Sequence, residues 1–544
     1  MKKRMMKLFA LTLSAGMALT GLSVTSLADE STDPFGVFEE PVTITVAQRT
    51  FGNAIPTGDD APWTQKYKEY GINLEVEWSA DASQFNNKMN TAIASGEVPD
   101  IFQVSNAEQM TTLVKADMVA DLTDAFEQYA SPLVKERFST EAGKAALEAA
   151  TFDGKLRFIP INITESLNNM DLCYIRQDWV ENLGLELPET VEDLKKLAIA
   201  FTKDDPDGNG EDDTYGIALQ GKDGMDALRC WFTGYGIFPT RWYDGMIFYS
   251  KDDDGNVVWD GEKPEMKQAL ADLQELYKEG AIAQDFATYD GTMMFEDLNG
   301  SKAGITLGAR GYPAWGFNST YANDENAKWY AMKMPHADGE EALLAGFQPM
   351  NAAYAVSSEC EHPEAVIRML NLVTEITTPG TEMYDSAYAT ENREQCGDAF
   401  IVAIDDPEEE RNTTQAICSA VESEDPSALS EDSKGIYDNV LDFEKTGDAS
   451  EWSDWNRYYP AEGHAYYVIY EMNKDTAITN NLWQALPTDS MISKLAVWKK
   501  TTDESMIKII SGEDVNTWDE TVSTWNSLGG DEIRQAVADS LSEQ

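Results

Sequence analysis

The sequence predicts an α/β fold in two lobes, and three observations carry that. Strand-like and helix-like segments alternate along the chain, apolar residues make up 42% of it, and it is 544 residues long. A single hydrophobic core stops growing near about 250–300 residues, so two lobes of similar weight are expected. Strands that alternate with helices imply mainly parallel sheets covered on both faces.

The elements follow in order. Residues 42–48 (VTITVAQ) read as a strand and 63–70 as a helix, with a second strand at 74–78. Residues 85–95 have helical spacing and stop at Gly96, which suits a helix C-cap. A third strand at 100–104 runs into the polar loop Ser105-Asn106. Thr190 opens a helix with Asp193 three residues on, a capping-box variant whose apolar face is Leu194, Leu197 and Phe201. Met266, Leu270, Leu273 and Tyr277 define a helix over 264–278 that Gly280 ends. Pro363 starts another, with Val366, Met369, Leu370 and Val373 on one face.

The first 28 residues stand apart from the fold. Lys2, Lys3, Arg4 and Lys7 precede an apolar stretch over 8–22, and Ser26-Leu27-Ala28 places small residues before Asp29. This is the three-part pattern of a secretory signal peptide. No later stretch reaches the roughly 20 apolar residues of a membrane span.

Acidic residues outnumber basic ones by 96 to 41, and removing the four cations of the leader takes the net charge from −55 to −59. Such a surface repels the phosphates of nucleic acid and of anionic lipid. The runs at 405–410 and 422–432 read as solvated acidic loops. The five cysteines, Cys173, Cys230, Cys360, Cys396 and Cys418, contain no CxxC pair. An exported chain permits disulfides, but spacing decides neither pairing nor its absence.

The sharpest local motif is DDPDGNGEDDTYG at 204–216. Asp205, Asp207, Asn209 and Asp213 fall at positions 1, 3, 5 and 9 of a calcium loop, with Gly210 at position 6 and Glu211 offering its carbonyl at position 7. Ca²⁺ takes six to eight oxygens at about 2.3–2.6 Å, which alternate side chains of a tight loop can supply. Gly216 replaces the bidentate Glu of position 12, so the motif is half an EF-hand. The expectation is a structural Ca²⁺ that relieves the crowding of carboxylates; the alternative is a metal-free acidic turn.

Five stretches in order resemble the family 1 extracellular solute-binding proteins of ABC importers, the oligosaccharide-binding branch in particular. They are ASGEVPDIFQVS (94–105), YIRQDWVENLGLELPETVEDL (174–194), DPDGNGEDDTYGI (205–217), FEDLNGSKAGITLGARGYPAW (295–315) and HPEAVIRMLNLVTE (362–375). The resemblance implies a type II periplasmic-binding-protein-like fold, with a ligand cleft between lobes that close about crossover strands. It implies calcium at the DPDGNG loop, ABC permease subunits as partners, and a protein that acts as a monomer. It divides the chain into lobe one at 29–165 plus 303–348 and lobe two at 166–302 plus 349–544, with crossovers near 160–168, 304–309 and 349–356. Many such proteins are lipoproteins. Here the first cysteine is Cys173, so export to the cell surface or periplasm is expected without a lipid anchor.

Sugar capture needs aromatic faces for the C–H faces of the ring and polar groups for its hydroxyls. Candidates are Trp63, Trp231, Trp242, Trp315 and Trp455, with Tyr312, Arg49 and Asn106 beside them. A large aromatic is as much at home in a core. Trp315 is favoured because GYPAWGF is a loop sequence. Against catalysis, the chain has no P-loop, HExxH, GxSxG or GxGxxG, and its three histidines (His336, His362 and His464) lack metal-ligand spacing. Carboxylate pairs keep a glycan hydrolase as the rival reading, and a calcium-dependent glycan adhesin is a third.

Overall fold

The computed structural model describes residues 32–542, apart from 51–60, 162, 223–224, 240–246, 253, 340–342, 347–349, 351, 386, 389–401, 405 and 484–488. The segment 1–28, expected to be a signal peptide, and Cys396 lie outside the described residues. Among those described, no helix is long and apolar enough to cross a membrane.

Nine strands form the two main sheets: β1 (Val42–Thr50), β2 (Ile72–Asp81), β3 (Ile101–Val104), β4 (Phe158–Ile161), β5 (Asp171–Arg176), β6 (Tyr215–Ala218), β7 (Ala303–Ala309), β8 (Trp329–Lys333) and β9 (Ala352–Val356). One sheet has the order β2-β1-β3-β9-β4 and the other β8-β5-β7-β6. β1 pairs in parallel with β2 and β3, while β9 runs antiparallel to β3 and β4. In the second sheet β7 is parallel to β6 and antiparallel to β5. Both sheets are therefore mixed.

The helices that matter below are α1 (Pro62–Glu69), α2 (Ala82–Ser95), α3 (Ala107–Lys115), α4 (Val191–Lys203), α5 (Asp226–Thr233), α6 (Pro264–Lys278), α7 (Gly291–Asn299), the single turn α8 (Tyr312–Trp315), α9 (Pro363–Thr377), α10 (Glu409–Ser423) and α11 (Trp452–Tyr458). Those expected from apolar spacing stand where the spacing put them. The Thr190 hydroxyl accepts from the Asp193 N–H at 3.2 Å, as the capping pattern requires. α6 buries Met266, Leu270 and Leu273, and α9 buries Val366, Met369, Leu370 and Val373.

Two separate cores define the lobes. One gathers buried side chains from 42–163 and 350–404, the other from 167–344 and 417–537. Among the described residues the chain thus changes lobe three times, between Ile163 and Leu167, between Leu344 and Met350, and between Ile404 and Ile417. The expected division has to be corrected. Of the expected 303–348, the described residues up to Leu344 belong with lobe two, because Ile305 of β7 pairs with Ile175 of β5 and with Ile217 of β6. The described residues between Met350 and Ile404 return to lobe one, because Ala353 of β9 pairs with Val104 and Pro160. The segment 304–309 is an interior strand of lobe two, not a crossover. Its largely apolar sequence, broken only by the buried Thr306, marks a strand buried on both faces, but such a run says nothing about which sheet receives it.

Candidate functional site between the lobes

Strand direction identifies the edge where the lobes meet. β4 ends at Ile161 and β5 begins at Asp171, so the first crossing leaves the carboxyl end of β4. Ala352 of β9 lies opposite Ile161, and Ala309 of β7 opposite Asp171. The carboxyl ends of β1, β3, β6 and β7 consequently point toward the crossings. In open α/β sheets the ligand crevice lies outside such carboxyl ends. From lobe one this edge carries Arg49 near the end of β1 and Asn106 after β3; from lobe two it carries the 310–316 turn after β7.

That turn is built around aromatic rings. Trp315 is 56% exposed and is the one exposed tryptophan among the described residues. Its indole meets Tyr312 edge to face at 4.9 Å and Phe295 of α7 at 5.6 Å. Tyr312 is buried beneath it, and Phe295 stands edge-on to Tyr312 at 5.0 Å. Two glycines make the arrangement possible. A Cβ at Gly308, where φ is +149°, would lie 2.5 Å from the Tyr312 ring. A Cβ at Gly311 would lie 2.6 Å from the indole nitrogen of Trp315. The turn packs on α11.

The other candidates divide. Trp63 and Trp231 are corrected to core residues. Trp63 is 1% exposed in α1 against Tyr67, and Trp231 is fully buried in α5 with its indole N–H donating to the Ala269 carbonyl at 3.1 Å. Neither ring has a face to offer a solute. Trp242 lies outside the described residues. Trp455 is half-buried, its indole N–H donating to Glu444 at 2.5 Å and its ring packed edge to face on His464 at 4.5 Å. Burial pushes the His464 imidazole down to about 4. Arg49 is half-buried near the end of β1, paired through its backbone with Ala80. Asn106 caps α3, its carboxamide oxygen accepting from the Gln109 N–H at 2.9 Å. Tyr312 supports Trp315 from below rather than facing outward.

Sequence reasoning missed Arg310. Its guanidinium binds Glu410 at both ends, with Nε–Oε1 at 2.9 Å, and donates from Nη1 to the main-chain carbonyl of Asn168. Its partners lie 100 and 142 residues away, so no local pattern signals them.

At the opposite, amino end of β6 sits the acidic loop. β7 is seven residues long, so about 20 Å separates the two edges of this sheet. Asp205, with φ of +48°, accepts from the N–H groups of Asn209 and Gly210 at 3.1 and 3.0 Å. The Asn209 amide nitrogen donates to Asp207 at 2.9 Å and to Asp213 at 3.2 Å. Glu211 donates its N–H to the Asn209 carboxamide oxygen at 2.6 Å. Burial raises the Asp207 carboxyl above its ordinary value, and Asp205 and Asp213 beside it push it the same way. Thr214 is turned away, donating to the Phe201 carbonyl at 2.8 Å. Among the described residues, no three Asp, Glu, His or Cys side chains stand in a metal-holding group.

Cys173, Cys230, Cys360 and Cys418 are free thiols. Burial pushes the last two up to about 12, so they behave as small apolar groups.

A family model described as bacterial extracellular solute-binding protein matches residues 54–376. The chain belongs to this family. Relatives include Lipoprotein LipO of Bacillus subtilis, 29% identical over 46% of this chain and 47% of that protein. The polygalacturonan/rhamnogalacturonan-binding protein YtcQ of Bacillus subtilis is 29% identical over 43% and 44%. The fructooligosaccharide ABC transporter substrate-binding protein FusA of Streptococcus pneumoniae is 26% identical over 48% and 47%. The matches thus span about half the length of these relatives. Solved structures share the fold across nearly the whole chain. An HMO-binding, ABC-transporter-associated solute-binding protein from Bifidobacterium longum infantis superposes with a TM-score of 0.62 at 16% identity, covering 92% of this chain and 99% of that one. An EF-hand mutant of FusA in complex with fructo-nystose gives 0.58 at 17%, covering 92% and 100%.

Proposed function

We propose that this solute-binding protein captures an oligosaccharide between its lobes and hands it to the permease subunits of an ABC importer. The observation that carries the reading is Trp315, an open indole on a turn at the carboxyl edge of lobe two, held edge-on by Tyr312 and Phe295. A flat apolar face bordered by polar groups matches a sugar ring, which has C–H faces and hydroxyl edges. The carbohydrates named for YtcQ and FusA support the same class. A solute touching both lobes binds the closed arrangement better than the open one and shifts the population toward it. Hydroxyls buried by closure need partners, since each unpaired polar group costs about 1–3 kcal/mol. This favours a pocket that selects one glycan class.

The test is calorimetric titration of the leader-free protein with fructo-, galacto- and pectic oligosaccharides, and with short peptides. Saturable binding of one glycan class, weakened by Trp315→Ala, is expected. Binding of peptides alone would overturn the carbohydrate assignment. New reducing ends after long incubation would instead favour the hydrolase.

We also propose that the acidic loop takes a structural Ca²⁺. Its donors are hard oxygens, and the Asp207 carboxyl is raised first by burial and then by the like charges of Asp205 and Asp213 held close to it. Turning the Asn209 carboxamide would exchange its nitrogen for an oxygen ligand. The loop lies at the sheet edge away from the crossings, so the ion would clamp the chain between α4 and β6 and would not touch the solute. Export through the leader at 1–28, and action as a monomer, complete the reading.

A further inference from the structure

The side chains around Arg310 form a cluster distinct from the aromatic stack of the Trp315 turn. Arg310 directly follows β7 and stands five residues before Trp315. It is held from two sides. Glu410, the second residue of α10, lies within the third crossing and takes both arms of the guanidinium fork. Asn168, in the short helical turn of the first crossing, takes the remaining nitrogen on its main-chain carbonyl. Asn168 is itself fixed. Its carboxamide oxygen accepts from the Tyr470 hydroxyl at 2.6 Å, and its amide donates to Thr164 at 2.8 Å. Tyr470 belongs to a π-helical turn over Val468–Met472, a rare geometry that concentrates at functional places. A second ion pair runs alongside, from Arg411 to Glu165 of the first crossing at 2.8 Å and to Glu408 at 3.0 Å.

The chemistry of the bracket is specific to arginine. A bidentate guanidinium–carboxylate pair fixes direction as well as distance, which a lysine point charge does not. Both side chains of the pair are about three-quarters buried, with 25% and 28% exposed. Burial works against the charge on Arg310, but the Glu410 carboxylate outweighs it and holds the proton more tightly than usual. One side chain therefore joins the base of the Trp315 turn to two of the three crossings.

We propose that Arg310 is a positioning residue that sets the angle between the lobes in the ligand-free protein and so places Trp315 relative to lobe one. Its consequence for affinity rests on the solute-binding reading above; its effect on the lobe angle does not. The two can therefore fail separately.

The experiment uses the full mature chain without sugar. Small-angle scattering gives the lobe arrangement, and hydrogen exchange read by mass spectrometry follows 163–170 and 406–411 in wild type, Arg310→Gln, Arg310→Lys and Glu410→Gln. All three variants are expected to broaden or shift the scattering profile and to speed exchange in both segments at least tenfold. Exchange in β1 and α9 should stay unchanged. Arg310→Lys should resemble Arg310→Gln, since charge alone does not restore the fork. Arg411→Gln, which breaks only the neighbouring pair, should leave the scattering profile near that of wild type. If Arg310→Gln unfolds, Glu410→Gln reads the same bracket from its other side. A fall in melting temperature with unchanged scattering and exchange in both segments would reduce Arg310 to a stabilising ion pair and overturn the proposal. So would full retention of the wild-type profile by Arg310→Lys.

Discussion

The two edges of the lobe-two sheet are built on opposite plans. At the amino edge of β6, the bonds among the polar groups from Asp205 to Asp213 run only two to five residues along the chain, and one longer tie, from the Asn182 amide to the Pro206 carbonyl at 3.0 Å, anchors the turn. At the carboxyl edge of β7, the functional turn is held by Phe295, Asn168, Glu410 and α11, which come from four distant parts of the chain. The first edge is a largely local structure and suits a structural ion. The second exists only once the lobes and crossings are assembled, and suits a group that must respond to their movement. The lesson is that a site's locality tracks its task.

Gly308 is where this contrast can be attacked most forcefully. Its φ is +149°, and a methyl group added there would meet the Tyr312 ring at 2.5 Å, so Gly308→Ala combines backbone strain with overpacking. A loss of about 3–4 kcal/mol in denaturant-derived stability is expected. An equivalent change at Gly208 in the acidic loop meets nothing within 4 Å and carries only the strain of its φ of +70°. It should cost about 1–2 kcal/mol.

His464 lies behind the aromatic edge, against Trp455. Its folded value is depressed, from 6.5 to about 4. The neutral form is thus favoured in the native state, and its contribution is complete above pH 6.5. As pH falls from 6.5 toward 4 the unfolded chain takes up a proton that the folded one refuses, and stability declines by about 3 kcal/mol at about 1.4 kcal/mol per pH unit. Denaturant midpoints measured across that window should fall in wild type and much less in His464→Gln. Parallel curves would remove His464 as the cause.

At the amino edge, Ca²⁺ at about 100 times its Kd should add about 2.7 kcal/mol of stability. Asp207→Ala should abolish that gain. Carbohydrate binding should change little, because the loop and the crossings occupy opposite edges. A large loss of glycan affinity on chelation would erase the contrast between the two edges.

The smallest effect on stability, and the one most specific to function, belongs to Trp315. An indole that is 56% exposed contributes little to the fold, so Trp315→Ala should shift stability by less than about 1 kcal/mol. Glycan affinity should fall about thirtyfold, equivalent to about 2 kcal/mol. A comparable loss in both readouts would make Trp315 a packing residue.

Legibility followed the same division. The helices at 264–278 and 363–377 were readable from apolar spacing because each carries its large apolar side chains three or four residues apart, although the second is buried nearly all round. The calcium-type spacing at Asp205, Asp207, Asn209 and Asp213 was readable for the same reason of locality. Trp315 stood out by its Gly- and Pro-flanked loop. Trp63 and Trp231 were misplaced because the residue type that stacks on sugars also fills cores best, and only burial separates the two uses. Arg310 was invisible, since nothing around GARG announces a carboxylate a hundred residues on.

Local sequence was enough to establish the α/β alternation, the acidic loop, the helix boundaries and the family resemblance, because these rest on residues that are neighbours in the chain. Long-range packing chose which sheet received 303–309 and 352–356, which tryptophan kept an open face, and which cation joined the crossings. The physical reason is strand pairing. An apolar run specifies that a strand is buried, but its partners are chosen by the packing of the whole lobe, and every side chain at the cleft edge inherits its place from that choice.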